Sequence, residues 1–247
     1  MADLNISTDS PDFLTDDSLH EAYELDIQSE KGQDVRFGEI VASKGDSVTS
    51  IVIFIRHFFC IYDQDYVRTL AGKITQSLLD TVPSSAKPAQ VIIIGCGDPA
   101  LIGPYMEETT DEFPIYSDPS GKIYEKLNMI RSTDGITEPP PYSCESFSSA
   151  VGKTFKQMWK RGWAGLKGGS WDQQGGEWIF QRGKLRYAHR MEGTSDHLTA
   201  ERLCEILSVD HDQSNTSLSA NTTQETKDTQ GSKEMDGNLE SGHPSGT

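Results

Sequence analysis

The stretch IVIFIRHFFCIYDQDYVRTL, residues Ile51–Leu70, joins a predicted strand to a predicted helix. Its first five residues are all apolar, which is typical of a strand that is covered on both faces. Apolar side chains then recur with helical periodicity over Ile61–Val82. Arg56, His57 and Cys60 stand at the boundary between the two patterns. The sequence therefore predicts a cysteine at a strand-to-helix junction, where a thiol can serve as a nucleophile.

The segments around this junction predict the rest of a sheet. A second buried strand is predicted at 91–95, and a strand, a helix and a strand in this order imply a right-handed crossover with parallel strands. The hairpin EWIFQRGKLRYAHR is predicted at 177–190, around an Arg-Gly turn. Residues 31–42 are predicted to be extended, residues 113–118 to form a short strand, and helices to form within 18–28, 97–109, 119–129, 144–163 and 195–209. These parts predict an α/β, thioredoxin-like fold with a central mixed sheet flanked by helices.

The charge is concentrated at the two ends of the 247-residue chain. Residues 1–34 hold ten acidic residues and one lysine, and residues 210–247 hold seven acidic residues and two lysines, within a net charge of −16. Residues 210–247 contain no aromatic and no β-branched aliphatic residue, so they cannot bury enough apolar surface to offset the entropy of ordering. We predict an acidic disordered N-terminus at 1–17, a thioredoxin-like domain at 18–209 and a disordered polar acidic tail at 210–247.

The composition disfavours several classes of partner and location. Acidic ends and a nearly neutral middle disfavour binding to nucleic acid or to an anionic membrane surface. The first residues lack the basic and apolar regions of a signal peptide, and the longest apolar runs are too short to span a membrane. The four cysteines, Cys60, Cys96, Cys144 and Cys204, have neither metal-binding spacing nor a dense disulfide pattern. We therefore expect a cytoplasmic protein with no metal, cofactor, membrane or nucleic-acid partner.

Five motifs in order resemble one family. They are FIRHFFC, VIIIGCGDPALIGPYMEET, FPIYSDPSGKIYEKLNM, LKGGSWDQQGGEWIF and HRMEGTSDH, and they extend from Phe54 to His197. Together they resemble the peroxiredoxin-like AhpC/TSA antioxidant family, in the branch whose site reads Arg-His-Phe-x-Cys-x-x-Cys. The resemblance implies a thioredoxin-like fold and an activity on peroxides or in thiol–disulfide exchange.

The chain departs from that family at several positions. Asp63 stands where the second cysteine of the branch pattern is usual. Ordinary peroxiredoxins carry a threonine or serine three residues before the reactive cysteine and a proline four residues before that, where this chain has His57 and Ile53. The arginine that usually precedes the first hairpin strand is missing from QQGG, residues 173–176. Neither the dithiol site nor the full peroxiredoxin site is therefore present.

Cys60 is the candidate nucleophile, and its thiolate population depends on its surroundings. The start of a helix favours negative charge, and positive charge on Arg56 or His57 would add support for the thiolate. Asp63 lies in the same turn and acts in the opposite direction, because a nearby carboxylate disfavours a thiolate. This interpretation makes Asp63 a modulating residue. The alternative is an ordinary first-turn acid that complements the helix dipole, beside a Cys60 that serves as a small buried apolar side chain.

Three further residues are candidates for the site. Cys96 follows the second predicted strand, so we expect it at the same edge of the sheet as Cys60. There it is either a resolving thiol or an unpaired thiol. His189 and Arg190 end the hairpin, where they could hold an anionic substrate or stabilise a thiolate. The alternative is a surface-facing strand end, with Asp196 as the N-cap of the last helix.

Two function hypotheses follow. The first is a peroxiredoxin-like thiol redox protein of antioxidant defence, in which Cys60 reduces a peroxide or a small disulfide. Glutathione, a thioredoxin-type protein or Cys96 would then restore the Cys60 thiol. The second is a catalytically silent thioredoxin-fold module for interaction or regulation. Asp63 bears on the choice, because a dithiol oxidoreductase cannot work through a carboxylate.

The predicted disorder of the two ends is testable by limited proteolysis. We expect cleavage within about the first ten residues and after about Asp210, because exposed polar segments are preferred sites of proteolysis. Mass spectrometry of the products should show a resistant core that spans the predicted domain. A C-terminal tail that resists digestion would contradict the prediction.

Overall fold

The computed structural model describes residues 14–42, 48–75, 79, 89–133, 139–162 and 167–208. The predicted C-terminal tail and most of the predicted N-terminal segment lie outside the described residues. The first helix begins at Asp16, just before the predicted start of the domain at residue 18. The domain limits and the disorder of the ends therefore stay predictions.

Seven strands in the described residues form one mixed sheet. They are β1 (Asp26–Gln28), β2 (Asp34–Arg36), β3 (Thr49–Phe54), β4 (Ala89–Gly95), β5 (Ile115–Ser117), β6 (Gly176–Gln181) and β7 (Lys184–Arg190). Their order across the sheet is β2-β1-β5-β4-β3-β6-β7. β3, β4 and β5 run parallel, whereas β6 is antiparallel to both β3 and β7. The predicted α/β class and central mixed sheet are confirmed, and the parallel unit beside an antiparallel hairpin is the arrangement of a thioredoxin-like fold.

Helices cover both faces of this sheet. They are α1 (Asp16–Tyr23), α2 (Phe37–Val41), α3 (Ile61–Lys73), α4 (Ile102–Glu108), α5 (Lys122–Lys126), α6 (Phe147–Arg161) and α7 (200–208). A single 3-10 turn, Pro99–Leu101, leads into α4. None of the helices in the described ranges combines the length and the apolar character that a membrane span requires.

Three elements differ from their sequence predictions. The helix predicted within 18–28 ends at Tyr23, and Asp26–Gln28 forms strand β1 instead. α3 ends at Lys73, because Ile74 leaves helical dihedral angles (φ −94°, ψ 83°) and buries its side chain in the core. The helix therefore stops before Val82, and residues 76–78 and 80–88 lie outside the described residues. The segment 31–42 is extended only up to Arg36 and then forms α2. Three buried apolar side chains at helical spacing on α2 account for this last difference.

Alternating side chains of β3 enter two separate apolar cores. Ile51 and Ile53 pack on the face covered by α3, α4 and α7, whereas Val52 and Phe54 pack on the face covered by α1, α2 and α5. All four side chains are 0% exposed. Burial on both faces explains why the strand is a continuous apolar run rather than an alternating one. It also holds the end of β3, which leads to Cys60, at the centre of the molecule.

The central position of β3 predicts a large cost for truncating one of its side chains. Ile53→Ala should lower the free energy of unfolding by about 2–5 kcal/mol, because it leaves a cavity between the sheet and its helices. Lys184→Ala, on the exposed edge strand β7, should change it by less than about 0.5 kcal/mol. Urea denaturation followed by circular dichroism measures both values. Equal costs for the two variants would contradict the central position of β3.

Candidate functional site

Cys60 is the N-cap residue of α3, at the junction that the sequence predicts. Its backbone N–H donates to the His57 carbonyl oxygen at 3.1 Å, and its own carbonyl oxygen accepts from the Gln64 N–H at 3.0 Å. A tight turn therefore joins the strand segment to the helix. The Cys60 residue is only 6% exposed. The backbone N–H of Asp63, in the first turn, interacts with the sulfur and acts to lower the pKa of the thiol.

A narrow cleft opens onto the Cys60 side chain. Its volume is about 50 Å³, which is room for a few water-sized molecules, since about 10–15 Å³ of such cavity space is enough for one water. Most of the lining is apolar and comes from α6 and Trp171, and the polar part includes Arg56 and His57. The cleft therefore gives a small molecule access to a thiol that is otherwise covered.

Arg56 is held against the sulfur by backbone carbonyl groups of a distant loop. Its Nε donates to the Gln173 carbonyl oxygen at 3.2 Å, and its Nη2 donates to the Trp171 carbonyl oxygen at 2.9 Å. Nη1 lies 3.5 Å from Cys60 Sγ, and the guanidinium charge acts to lower the pKa of the thiol. Segment 173–176 contains no arginine. Its Gln173 carbonyl group instead helps to orient the guanidinium of Arg56, which comes from the β3–α3 junction.

Asp63 is completely buried, in contrast to an ordinary first-turn acid that faces solvent. Its Oδ2 accepts a hydrogen bond from the Arg56 backbone N–H at 2.6 Å. Its Oδ1 lies 3.5 Å from His197 Nε2, an ion-pair distance at which neither atom has a hydrogen-bond partner. The interpretation of Asp63 as a solvated acid that only complements the helix dipole is therefore wrong, because the carboxylate has no exposed surface.

Asp63 belongs to a buried ionic cluster beneath α3, which also contains His197, Glu177 and His189. Glu177 of β6 has no exposed surface, and its two carboxylate oxygens contact different histidines. Oε1 lies 2.6 Å from His197 Nδ1, and Oε2 lies 2.9 Å from His189 Nδ1. Tyr66 donates its hydroxyl to Oε1 at 3.2 Å and stacks on the His197 ring, with 4.1 Å between ring centroids. The cluster therefore joins α3, β6, β7 and the segment before α7.

Opposite charges balance in and around this cluster. Burial by itself would raise the pKa of Asp63 and of Glu177, but neighbouring histidines, together with Arg56 for Asp63, outweigh burial and lower both values. Burial by itself would lower the pKa of His197, but Glu177 and Asp63 raise it to about 9. At neutral pH the two buried carboxylates are therefore matched by two cations, His197 and Arg56.

The Cys60 thiol keeps its proton at neutral pH in these surroundings. Burial is the largest cause that raises its pKa, which reaches about 12, and the charge of Asp63 is the next. Arg56 and the Asp63 backbone N–H act in the opposite direction but are outweighed. The effect of Asp63 thus has the direction that the sequence predicts, and the burial of the thiol adds to it.

His57 supplies no positive charge to the thiol. Burial and the charge of Arg56 lower its pKa to about 4, so the imidazole is neutral at neutral pH. Its ring lies beside Trp171, with 5.2 Å between ring centroids, and it lines the cleft. Support of a thiolate by a charge on His57 stays a prediction, and the lowered pKa of this buried side chain disfavours it. Its contribution is to the shape of the cleft.

Cys96 lies at the same edge of the sheet as Cys60 but in a separate cleft. β3 and β4 are parallel and in register, so both cysteines follow the carboxyl ends of neighbouring strands. The two clefts have different linings, and both thiols are free. Gly169 lies close to both Cys96 and His57. A Cβ atom added at this glycine would lie 2.3 Å from the Cys96 carbonyl oxygen and 3.2 Å from His57 Cβ. A resolving role for Cys96 stays a prediction.

His189 and Arg190 do not line the Cys60 cleft. His189 is paired with Glu177 in the register of the β6–β7 hairpin, which explains the short contact between their side chains. The expectation that this basic pair holds a substrate or stabilises the thiolate by direct contact is therefore wrong for the cleft observed. His189 contacts Glu177 instead, and through it the buried ionic cluster.

Asp196 is not the N-cap of the last helix. α7 begins at residue 200, and the Arg202 backbone N–H donates to the Thr199 hydroxyl at 3.2 Å, so Thr199 takes the capping role. Asp196 accepts from the Glu192 backbone N–H at 3.0 Å, and its Oδ2 lies 3.6 Å from His189 Nε2. The carboxylate predicted to cap a helix therefore closes the turn after β7.

Sequence analysis did not identify Glu177, His197 and Trp171 as site residues. Glu177 carries one usable signal, because it alternates with Ile179 on the β6 face that packs against α3, where a carboxylate requires a buried partner. His197 and Trp171 carry no comparable signal, since their contacts in the site come from segments distant in the chain.

Comparisons with known proteins show which family the chain resembles. Residues 76–193 match the family model described as AhpC/TSA antioxidant enzyme. Peroxiredoxin-like 2C of Homo sapiens is 28% identical over 191 residues, which cover 76% of this chain and 79% of that protein. The chain is thus similar to peroxiredoxin-like proteins over about three quarters of its length. The resemblance that the five motifs indicate is thus confirmed.

Two further known proteins are similar to this chain at lower sequence identity. Thioredoxin-like protein AAED1, chloroplastic, of Arabidopsis thaliana is 25% identical over 193 residues, with 76% of this chain and 71% of that protein covered. The crystal structure of reduced Prx3 in complex with H2O2 from Vibrio vulnificus is 11% identical, with a TM-score of 0.48 and with 74% of this chain and 94% of that chain covered. The cytoplasmic location of this chain stays a prediction.

The matched family range begins after Cys60 and Asp63. The match to the family model therefore does not involve the residues at these two positions. Asp63 as the replacement of a second cysteine stays a prediction.

The raised pKa of His197 predicts that stability falls in alkaline solution. The pKa is about 9 in the folded chain against an ordinary value of 6.5, so the folded state binds more protons between these values. Stabilisation by the His197 charge is complete below pH 6.5 and is lost as the pH rises through about 9. We expect the free energy of unfolding in urea to fall by about 2–3 kcal/mol over this range.

Two histidine variants separate this effect from general alkaline destabilisation. His197→Gln should remove most of the fall in the free energy of unfolding between neutral and alkaline pH. His20→Gln, on the exposed surface of α1, should keep it. An unchanged pH dependence in His197→Gln would contradict the buried ion pairs.

Proposed function

We propose that the chain is a one-cysteine thiol redox protein of antioxidant defence that reduces a small peroxide at Cys60. The observation that supports this most is a guanidinium held beside the thiol, with Arg56 Nη1 3.5 Å from the sulfur, at the end of a cleft. A fixed guanidinium can stabilise negative charge that develops on the sulfur and on the leaving oxygen of a peroxide.

The size of the Cys60 cleft favours a small peroxide as substrate. A volume of about 50 Å³ accommodates a molecule close to hydrogen peroxide in size. A disulfide, the other candidate substrate, would have to bring two sulfur atoms and their substituents into the same space. The apolar lining from α6 makes the surroundings of the thiol less polar than water, which strengthens electrostatic contacts at the reacting atoms.

The proposed reaction balances without a metal or a cofactor. The Cys60 thiol loses its proton, and the thiolate attacks one oxygen of ROOH. The O–O bond breaks and its electron pair leaves with RO⁻, which takes up the proton as ROH. Cys60 is thereby oxidised to a sulfenic acid, and the peroxide is reduced.

Two equivalents of a small thiol would complete the cycle. The first thiol attacks the sulfenic sulfur, releases water and forms a mixed disulfide with Cys60. The second attacks that disulfide and releases the oxidised reductant together with the Cys60 thiol. Glutathione or a thioredoxin-type protein is the proposed reductant, because Cys96 opens into a different cleft.

A second candidate function is a catalytically silent module for interaction or regulation. The pKa of about 12 for the Cys60 thiol favours it, since the thiolate is then scarce at neutral pH. Large exposed aromatic side chains close to the cleft favour it as well. Phe155 is 61% exposed and Trp159 89% exposed on α6, and Trp171 is 44% exposed at the rim of the cleft.

Trapping of the sulfenic acid tests the first function directly. The full-length chain is treated with hydrogen peroxide in the presence of dimedone, and the cysteine-containing peptides are mapped by mass spectrometry. We expect the adduct on Cys60 and its absence from Cys60→Ser. The adduct is expected because dimedone captures sulfenic acid and neither the thiol nor the disulfide.

Removing the Asp63 charge should make Cys60 more reactive. Asp63→Asn should lower the Cys60 pKa by about 1–3 units, because it removes a carboxylate from beside a buried thiol. The rate of dimedone labelling at neutral pH should rise with the thiolate fraction. A pH titration of the thiolate ultraviolet absorbance measures the pKa of Cys60.

A neighbouring acid provides the matched control for this variant. Asp65 lies on the same helix, pairs with Arg68 and is not among the main causes of the pKa shift of Cys60, so Asp65→Asn should change that pKa much less than Asp63→Asn does. Asp63→Cys is the second variant, and it should form a reducible disulfide with Cys60. No dimedone adduct in the wild type or Asp63→Asn, together with no peroxide-dependent disulfide in Asp63→Cys, would overturn the peroxidase function in favour of the silent module.

A further inference from the structure

We propose that Asp63, His197, Glu177 and His189 form a relay that carries protons between the buried Cys60 thiol and solvent. The use of this relay in catalysis rests on the proposed function of Cys60. The proton exchange itself does not, because it follows from the arrangement of the four side chains.

The four side chains form a continuous path with alternating acids and imidazoles. Asp63 Oδ1 is 3.5 Å from His197 Nε2, and His197 Nδ1 is 2.6 Å from Glu177 Oε1. Glu177 Oε2 is 2.9 Å from His189 Nδ1, and His189 Nε2 is 3.6 Å from Asp196 Oδ2. Each imidazole therefore uses its two nitrogens on two different carboxylates, which is the connectivity that proton transfer along a chain requires.

Exposure to solvent increases along this path in one direction. The side chains of Asp63, His197 and Glu177 are all 0% exposed, the side chain of His189 is 21% exposed, and that of Asp196 is 45% exposed. Cys60 is covered except at the apolar cleft. The side chain and charge of Asp63 act on the Cys60 thiol. The path thus begins beside the thiol, inside the protein, and ends at the surface on the β6–β7 hairpin.

The contact between Asp63 and His197, the deepest in the path, has hydrogen-bonding capacity that a transferred proton can use. Asp63 Oδ1 and His197 Nε2 face each other at 3.5 Å, and neither has a hydrogen-bond partner, although both are fully buried. Buried polar atoms are normally satisfied, so an unsatisfied pair calls for an explanation. A shift of a few tenths of an ångström closes the gap to hydrogen-bond length. Proton transfer between Asp63 and His197 explains why these two atoms lack other hydrogen-bond partners.

The transfer balances in protons and charge. The thiol proton moves to Asp63, which becomes neutral as the sulfur becomes negative. The imidazolium of His197 gives its Nδ1 proton to Glu177 Oε1, and a turn of the carboxyl group presents that proton to His189. His189 passes it to water. Reversal of these steps returns a proton to the cluster and restores the thiol.

The surroundings of the path favour transfer along it. Tyr66 covers the His197 ring by stacking, with an angle of 2° between the ring planes, and donates its hydroxyl to Glu177. The charged groups that face the path are Arg56 beside Asp63 and Asp196 beside His189. The stacked ring and these contacts hold the histidines in orientations that a proton transfer can use.

Exchange of the His197 ring N–H protons with water tests the relay. The full-length chain is labelled with nitrogen-15 histidine, and the exchange rate is measured by NMR at neutral pH. His189→Gln keeps a hydrogen-bonding side chain but cannot accept and release a proton. We expect it to slow exchange at His197 by about 100-fold, the lower end of what a positioned proton-transfer group contributes.

The direction of the change separates a relay from a structural role. Loss of packing would expose His197 through local opening and speed its exchange, whereas loss of the relay slows it. His189→Ala should also exchange slowly, and added imidazole, which can occupy the vacated place, should restore the rate. His20→Gln, exposed on α1, is the control and should leave the rate unchanged.

Unchanged or faster exchange in His189→Gln would overturn the relay. Glu177→Gln, which removes the central carboxylate, should show the same slowing, and the His189 variants decide the question if that chain does not fold. A chain that forms no sulfenic acid but shows the His189 effect would retain the relay and lose only the proposed function.

Discussion

Two carboxylates without access to water impose the main constraint on this structure. Asp63 and Glu177 are both 0% exposed, and an unpaired buried carboxylate costs more than the whole net stability of a typical domain. His197 lies between them and contacts both, and Arg56 contacts Asp63. Breaking a buried ion pair by removing one partner typically costs about 3–5 kcal/mol. The positions of these four residues are therefore strongly coupled.

The same pairing fixes the place of the thiol. The bond from the Arg56 backbone N–H to Asp63 ties the first turn of α3 to the end of β3, and Cys60 lies between these two residues. The Arg56 guanidinium, held by carbonyl groups of the 171–173 loop, then reaches the sulfur. Cys60 is thus placed by contacts among β3, α3 and a loop more than a hundred residues away.

Asp63 has opposite effects on structure and on reactivity. Its carboxylate stabilises the junction by accepting a backbone N–H and by pairing with His197. Its charge, added to burial, raises the pKa of Cys60 and keeps the thiol protonated. A residue that stabilises the fold and restrains its neighbouring nucleophile is an example of the local conflicts that occur at functional sites. Arg56 opposes this restraint, and the balance of the two determines the chemistry of Cys60.

The sequence by itself determined the fold class, the crossover, the hairpin and the location of Cys60. Apolar runs, helical periodicity and turn residues are properties of short segments, so they can be read without knowing what each segment packs against. The same patterns identified Arg56 and Asp63, because both lie within a few residues of Cys60. The end of α3 at Lys73 was not predictable in this way, since burial of Ile74 in the core ends that helix.

Only the tertiary structure decided the charge states and the connections of the site. His57 has the position of a thiolate-supporting cation in the sequence, yet burial makes it neutral. Glu177 and His197 are twenty residues apart, and Arg56 and Gln173 are 117 residues apart, yet each pair is in contact. A pKa depends on the water and the charges that surround a group in space. Those surroundings are assembled from distant segments, so no local pattern in the sequence contains them.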